Sequence, residues 1–175
     1  MLHQVLTTLD RVFDFEEASA HCDIPCGIYD PHQAQVAVLT VIRMIDLMND
    51  LAKAGGPRQG AEAAAADVLA FHNSLARYVL IKEEHAELCK REIRVIFGDF
   101  IKKEHVDKYP ELPALFHKIM QLGSKVRQSP ARENAVELLG AVNRFAEIFW
   151  EIKGVATKKV KAPYKPEEEI VYAVL

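Results

Sequence analysis

Apolar residues recur every three or four positions along most of the chain, the spacing of amphipathic helices packed around a shared core. The first clear run follows Asp30-Pro31, with Asp30 as N-cap and Pro31 at the first helical position. Val38, Val41, Ile42, Ile45 and Met48 mark one face of this helix, and Gly55-Gly56-Pro57 stops it. A long second helix is expected over residues 62–97, with Leu75, Tyr78, Val79, Leu88, Ile93, Ile96 and Phe97 apolar and Gly98 as its end. Residues 99–110 read as a connector closed by Tyr109-Pro110. A third helix over 111–127 turns Leu115, Ile119 and Leu122 inward. Ser129-Pro130 caps a fourth, which carries Val136, Leu139, Val142, Phe145, Phe149 and Trp150 and ends at Gly154. Four helices, short connections and no convincing strand predict an all-α four-helix bundle.

The flanks read differently. Residues 2–15 have the spacing of a short amphipathic helix, through Leu2, Val5, Leu6, Leu9, Val12 and Phe13. One arginine there faces four carboxylates across residues 1–20, so this segment carries the whole of the chain's formal charge of −3. It ends Ala18-Ser19-Ala20 but lacks a basic start and an uninterrupted apolar run, so it reads as a removable leader and not as an export signal. The alternative is a permanent helix docked on the domain. The domain proper spans 21–155, and 156–175 is an irregular C-terminal extension, proline-broken and lysine-rich. Its apolar end, residues 170–175, is suited to docking on a neighbouring surface.

Composition narrows the field further. Lys plus Arg is 22 against 25 for Asp plus Glu, which argues against a nucleic-acid binder. No stretch reaches the roughly 20 apolar residues that span a bilayer. Three cysteines do not make a disulfide framework, and they fit a reducing, cytoplasmic setting. The sequence contains no Glu-x-x-His, which a di-iron carboxylate bundle requires.

The candidate chemistry is concentrated in His21-Cys22-Asp23-Ile24-Pro25-Cys26. With the leader in place this is a Cys-x3-Cys loop beside an imidazole, able to bind zinc weakly or to close a small disulfide loop. Adjacent His21 and Cys22 seldom supply two corners of a zinc tetrahedron. With the chain cut before His21, a new α-amine lies one peptide unit from the Cys22 thiolate. The amine, the Cys22 amide nitrogen and the Cys22 and Cys26 sulfurs then make a planar N2S2 set, which suits nickel(II) or copper(II). Two thiolates tend to reduce copper(II), so nickel fits better. The His21 imidazole remains as a fifth, axial donor. Anionic thiolate and amide donors stabilise nickel(III), so such a site can alternately oxidise and reduce superoxide.

The run from His21 to Pro31, HCDIPCGIYDP, resembles the nickel hook of the nickel superoxide dismutase family. Lys82-Glu83-Glu84-His85-Ala86-Glu87-Leu88, Lys108-Tyr109-Pro110-Glu111-Leu112 and Phe149-Trp150-Glu151 recur in the family's order, and the similarity covers about residues 21–153. The resemblance implies a four-helix bundle assembled as a homohexamer, with one nickel ion per subunit and a precursor cut by a protease immediately before His21. It implies that His21, Cys22 and Cys26 bind the metal, and that Asp23 and Tyr29 shape the hook and order water near its open face, Tyr29 assisting proton supply. It also marks departures. Where the family commonly holds the axial imidazole with a glutamate and an arginine, this chain has Ala37 and His85, and a tyrosine near the site is replaced by Phe100. His85 is therefore the candidate for orienting the His21 ring.

Two other functions fit the same residues: a nickel- or copper-binding bundle without turnover, and a redox sensor using a reversible Cys22–Cys26 disulfide. Cys89 reads as a buried structural thiol. His32, His72, His105 and His117 are scattered, without metal-ligand spacing. Lys102, Lys103, Lys158, Lys159 and Lys161 are candidates for steering an anionic substrate, or simply solvated loop lysines.

Overall fold

The structure is a computed structural model that describes residues 27–55 and 65–174. The leader, the segment from His21 to Cys26 and the expected start of the second helix at residue 62 lie outside the described residues. The helices are α1 (His32–Lys53), α2 (Ala65–Val95), α3 (Lys103–Lys108), α4 (Leu112–Gln128) and α5 (Arg132–Ile152). They are followed by β1 (Thr157–Lys161) and β2 (Glu169–Ala173). The four long helices form a closed ring in which α1 packs on α2, α2 on α4, α4 on α5 and α5 back on α1.

Stripe and core coincide except in the first half of α2, where Val79 is exposed and Leu75 and Tyr78 are only half-buried. Val38, Val41, Ile42 and Ile45 of α1 are fully buried, facing Ile93 of α2, Ile119 of α4 and Val142, Phe145 and Phe149 of α5 within one cluster. The α2–α4 crossing is close because Gly123 has no side chain; a Cβ there would lie 2.7 Å from Cγ of Lys90. Lys82, only 3% exposed, is a buried cation in this seam. Its Nζ donates to the carbonyls of Val126, at 2.8 Å, and Arg127. These are orphan acceptors in the last turn of α4, where the helix dipole also favours a positive charge.

Two features differ from the sequence expectation. Gly98 does not end the second helix; residues Ile96–Phe100 continue it as a π-helical turn, closed by the Ile101 amide donating to the Ile96 carbonyl at 3.2 Å. The wider turn sends Phe97 and Phe100 to different neighbours. Phe97 stacks on Phe116 of α4 at 4.2 Å between centroids, while Phe100 meets Phe149 of α5 at 4.9 Å. The connector also contains the short helix α3.

The second difference is the extension, expected to be irregular. It is an antiparallel hairpin in register from Thr157 opposite Ala173 to Lys161 opposite Glu169. β1 escaped notice because Thr-Lys-Lys-Val-Lys has no apolar alternation, and four of its five residues are exposed. The partner strand supplies the apolar anchor, since Ile170 and Val171 are both buried. The hairpin is fastened to α5 and α1. Nδ2 of Asn143 donates to the Glu169 carbonyl at 2.8 Å, and Nε2 of Gln35 to the Val171 carbonyl at 2.8 Å. Arg132 bridges Asp46 of α1 (2.8 Å) and Glu168 of the hairpin loop (2.6 Å).

Phe145 sits where α5 closes the ring, 1% exposed. Phe145→Ala is expected to destabilise the chain by about 3–5 kcal/mol in urea unfolding, the cost of lost burial plus a cavity.

Candidate metal centre

The segment leading out of the nominated donors is fixed residue by residue. Gly27, directly after Cys26, has φ +79°, a left-handed conformation that a side chain would strain. Ile28 is 77% exposed, whereas the half-buried Tyr29 lays its ring against Phe100 at 5.9 Å between centroids. Asp30 caps α1 from one residue further out than expected: its Oδ1 accepts the His32 amide at 2.8 Å, and the helix begins at His32. Pro31 is buried beneath this turn, and the His32 ring rests on Tyr172 of β2 at 5.6 Å.

Phe100 is the hub under Tyr29. Besides Phe149 it stacks on His105 at 5.4 Å, and Nζ of Lys153 lies 5.5 Å from its centroid and 5.2 Å from that of Phe149. Nδ1 of His105 accepts the Lys102 amide at 3.1 Å, which orients that ring. The π-helical turn therefore serves the candidate site by aiming Phe100 at the hook's C-terminal leg, a common location for such turns. Sequence reading assigned no role to Lys153. The signal available was its position one residue past α5, beside Phe149-Trp150.

The other nominated residues sort as follows. His85 is half-buried, and its Nδ1 lies 2.9 Å from the Ile81 carbonyl one turn earlier. A carbonyl can only accept, so in this contact Nδ1 is the donor and Nε2 is not used. Ala37 is 1% exposed within the core and presents only a methyl group. Lys103 and Lys159, proposed for steering, are held in ion pairs with Asp107 (2.6 Å) and Glu147 (2.8 Å). Among the described residues no three His, Cys, Asp or Glu side chains form a group that could hold a metal ion. His21, Cys22, Asp23 and Cys26 lie outside them.

Cys89 is fully buried, and desolvation, helped by the charge of Glu92, pushes its thiol up to about 12. It is the structural thiol the sequence implied.

A helical bundle whose candidate metal-binding chemistry precedes its first helix is the class of protein that this fold and segment define. A family model described as nickel-containing superoxide dismutase matches residues 16–153, which includes the whole run from His21 to Pro31. The chain is 33% identical over 137 residues to superoxide dismutase [Ni] of Streptomyces seoulensis, covering 78% of this chain and 91% of that protein. The corresponding protein of Streptomyces coelicolor is also 33% identical, over 135 residues and 89% of its length. The fold agrees with a native structure of nickel superoxide dismutase at a TM-score of 0.61 and 31% identity, covering 76% of this chain and 99% of that one. An apo structure gives 0.59 at 26% identity, covering 73% and 99%.

The chain belongs to the nickel-containing superoxide dismutase family. It is a superoxide-disproportionating enzyme with nickel as its cofactor, and a metal-handling bundle without turnover or a thiol sensor is not favoured. No helix among the described residues is long and apolar enough to cross a membrane.

Because the Cys89 thiol titrates at about 12, only roughly one molecule in ten thousand is ionised there at pH 8. In the native metal-free chain, iodoacetamide at pH 8 is expected to label Cys89 about a hundredfold or more slowly than in denaturant. Labelling should accelerate as the pH rises toward 12. Mass mapping of the alkylated peptides reads both rates.

Proposed function

We propose that the nickel site is created by proteolysis immediately before His21. Loss of residues 1–20 frees the His21 α-amine, which joins the Cys22 amide nitrogen and the Cys22 and Cys26 thiolates as donors, with the His21 imidazole as a fifth. The observation that carries this reading is the position of the motif. His21, Cys22 and Cys26 fall inside the family match and run straight into a glycine at φ +79° and a capped helix start. A backbone amide nitrogen beside two thiolates is a donor set that would suit nickel(II), unlike the imidazole and thiolate sets of tetrahedral zinc. When bound, nickel supplies a one-electron couple between its II and III states, brought within biological reach by the anionic donors.

The protein's own residues do the rest. Gly27 lets the chain turn directly behind the second thiolate. Tyr29, seated on Phe100, holds the leg of the hook and orders water that carries protons. Disproportionation turns two superoxide anions and two protons into dioxygen and hydrogen peroxide, so proton supply belongs to the reaction. Asp23 shapes the hook, and His85, whose ring is held by its Nδ1 contact to the Ile81 carbonyl, orients the His21 imidazole. The Lys153 ammonium on the Phe100 face adds positive potential beside the leg, favouring approach of an anion.

The mature unit is residues 21–155 carrying the extension 156–175, with one nickel ion per subunit, working in the cytoplasm as a homohexamer. Self-assembly is supported by the apolar residues that the first half of α2 leaves outside the core, with Leu69 71% exposed and Leu80 55% exposed.

Native protein is expected to have the intact mass of a chain starting at His21, to contain nickel and to consume superoxide. Cys26→Ser should lose nickel and reduce superoxide consumption to background. Metal analysis and pulse-radiolysis kinetics check this; full activity in a metal-free chain retaining residues 1–20 would contradict it.

A further inference from the structure

The family match ends at residue 153, so the hairpin of β1 and β2 lies beyond it. We propose that this hairpin is a positioning element for the nickel hook, with Tyr172 and Val171 clamping the first turn of α1, from which the hook springs. The proposal rests on the reading of His21, Cys22 and Cys26 as the nickel ligands.

The hairpin's contacts divide by purpose. Those to α5 hold it down: Asn143 to the Glu169 carbonyl, Lys159 to Glu147, and Arg132 to Glu168. At its far end the Val174 amide donates to the Ala156 carbonyl at 2.8 Å, closing the sheet against the exit of α5. Anchored in this way, β2 reaches across to the start of α1. There the Tyr172 ring lies on His32, and the Val171 carbonyl accepts from Gln35. His32 is six residues from Cys26, with Gly27 to Pro31 between them.

Gln35 is fully buried, and its Oε1 has no hydrogen-bond partner among the described residues. A leucine in this place would remove the orphaned oxygen but take the donor away from the Val171 carbonyl. What the carboxamide adds is a directed bond that fixes β2 along α1. The base of the hook is thus held from two sides, with Tyr29 on Phe100 and His32 on Tyr172. Ligands drawn from one short segment need such support, because small displacements of a ligand are costly at a metal site.

The test compares wild type, Tyr172→Ala and Tyr172→Phe as mature chains, keeping the Ile170 and Val171 anchors that deletion of the hairpin would remove. In the metal-free chains, amide hydrogen exchange over residues 27–36 is expected to be on the order of tenfold faster in Tyr172→Ala and near wild type in Tyr172→Phe, which keeps the ring. With nickel bound, Tyr172→Ala should release the metal to a chelator roughly tenfold faster and broaden any nitrogen splitting in the electron paramagnetic resonance spectrum of the oxidised form. Unchanged exchange and an unchanged spectrum, with only the melting temperature lowered, would overturn the proposal. A wild-type chain that binds nickel without nitrogen and sulfur donors would instead overturn the underlying ligand reading, while the exchange comparison still decides whether the clamp exists.

Discussion

All the nominated metal donors come from one six-residue stretch ahead of the first helix, and the joint from Gly27 to His32 is their covalent tie to the bundle. The joint is built stiffly. A left-handed glycine turns the chain, Tyr29 is seated on an aromatic ring, Asp30 closes the helix start, and Pro31 is buried. Each of these restricts where the next residue upstream can begin. The large core formed by Ile42, Ile45, Phe145 and their neighbours is remote chemistry in this sense. Its task is to hold the ends of α1 and α5 and the π-helical turn in fixed relation, so that Phe100 lies where Tyr29 needs it.

The four main helices were legible because their apolar stripes are interrupted by residues with strong local preferences. Asp30-Pro31 opens α1, Gly55 at φ +100° lies just past its end, and Gly154 at φ +71° follows α5. Gly98 misled because a glycine that stops an α-helix by propensity is equally tolerated inside a π-helical turn held by Phe97 and Phe100. The hairpin was hidden for a different reason. β1 has no strand pattern of its own and exists through pairing with β2, whose burial depends on Gln35 and Asn143, more than twenty-five residues away. Lys82 is buried because the end of α4 offers it two carbonyls, and no local pattern foretells that.

The candidate site was legible for the opposite reason, since the proposed ligands are contiguous in sequence and need no tertiary contact to be recognised together. What supports them was legible only in part. Phe100 was marked by the resemblance, but Lys153 and Tyr172 come from separate elements, and only folding brings them to the same end of the bundle as Tyr29 and His32. The match to the nickel-containing superoxide dismutase family spans residues 16–153, and the hairpin lies beyond it.

The central claim is that a free amino group on His21 completes the nickel site. The most direct measurement compares two nickel-reconstituted chains that differ by one residue, one starting at His21 and one with a single glycine ahead of it. The first should bind one nickel ion per chain and consume superoxide, while the second, with its terminal amine moved one residue away, should fall to background. Equal nickel binding and equal rates in the two would contradict the account.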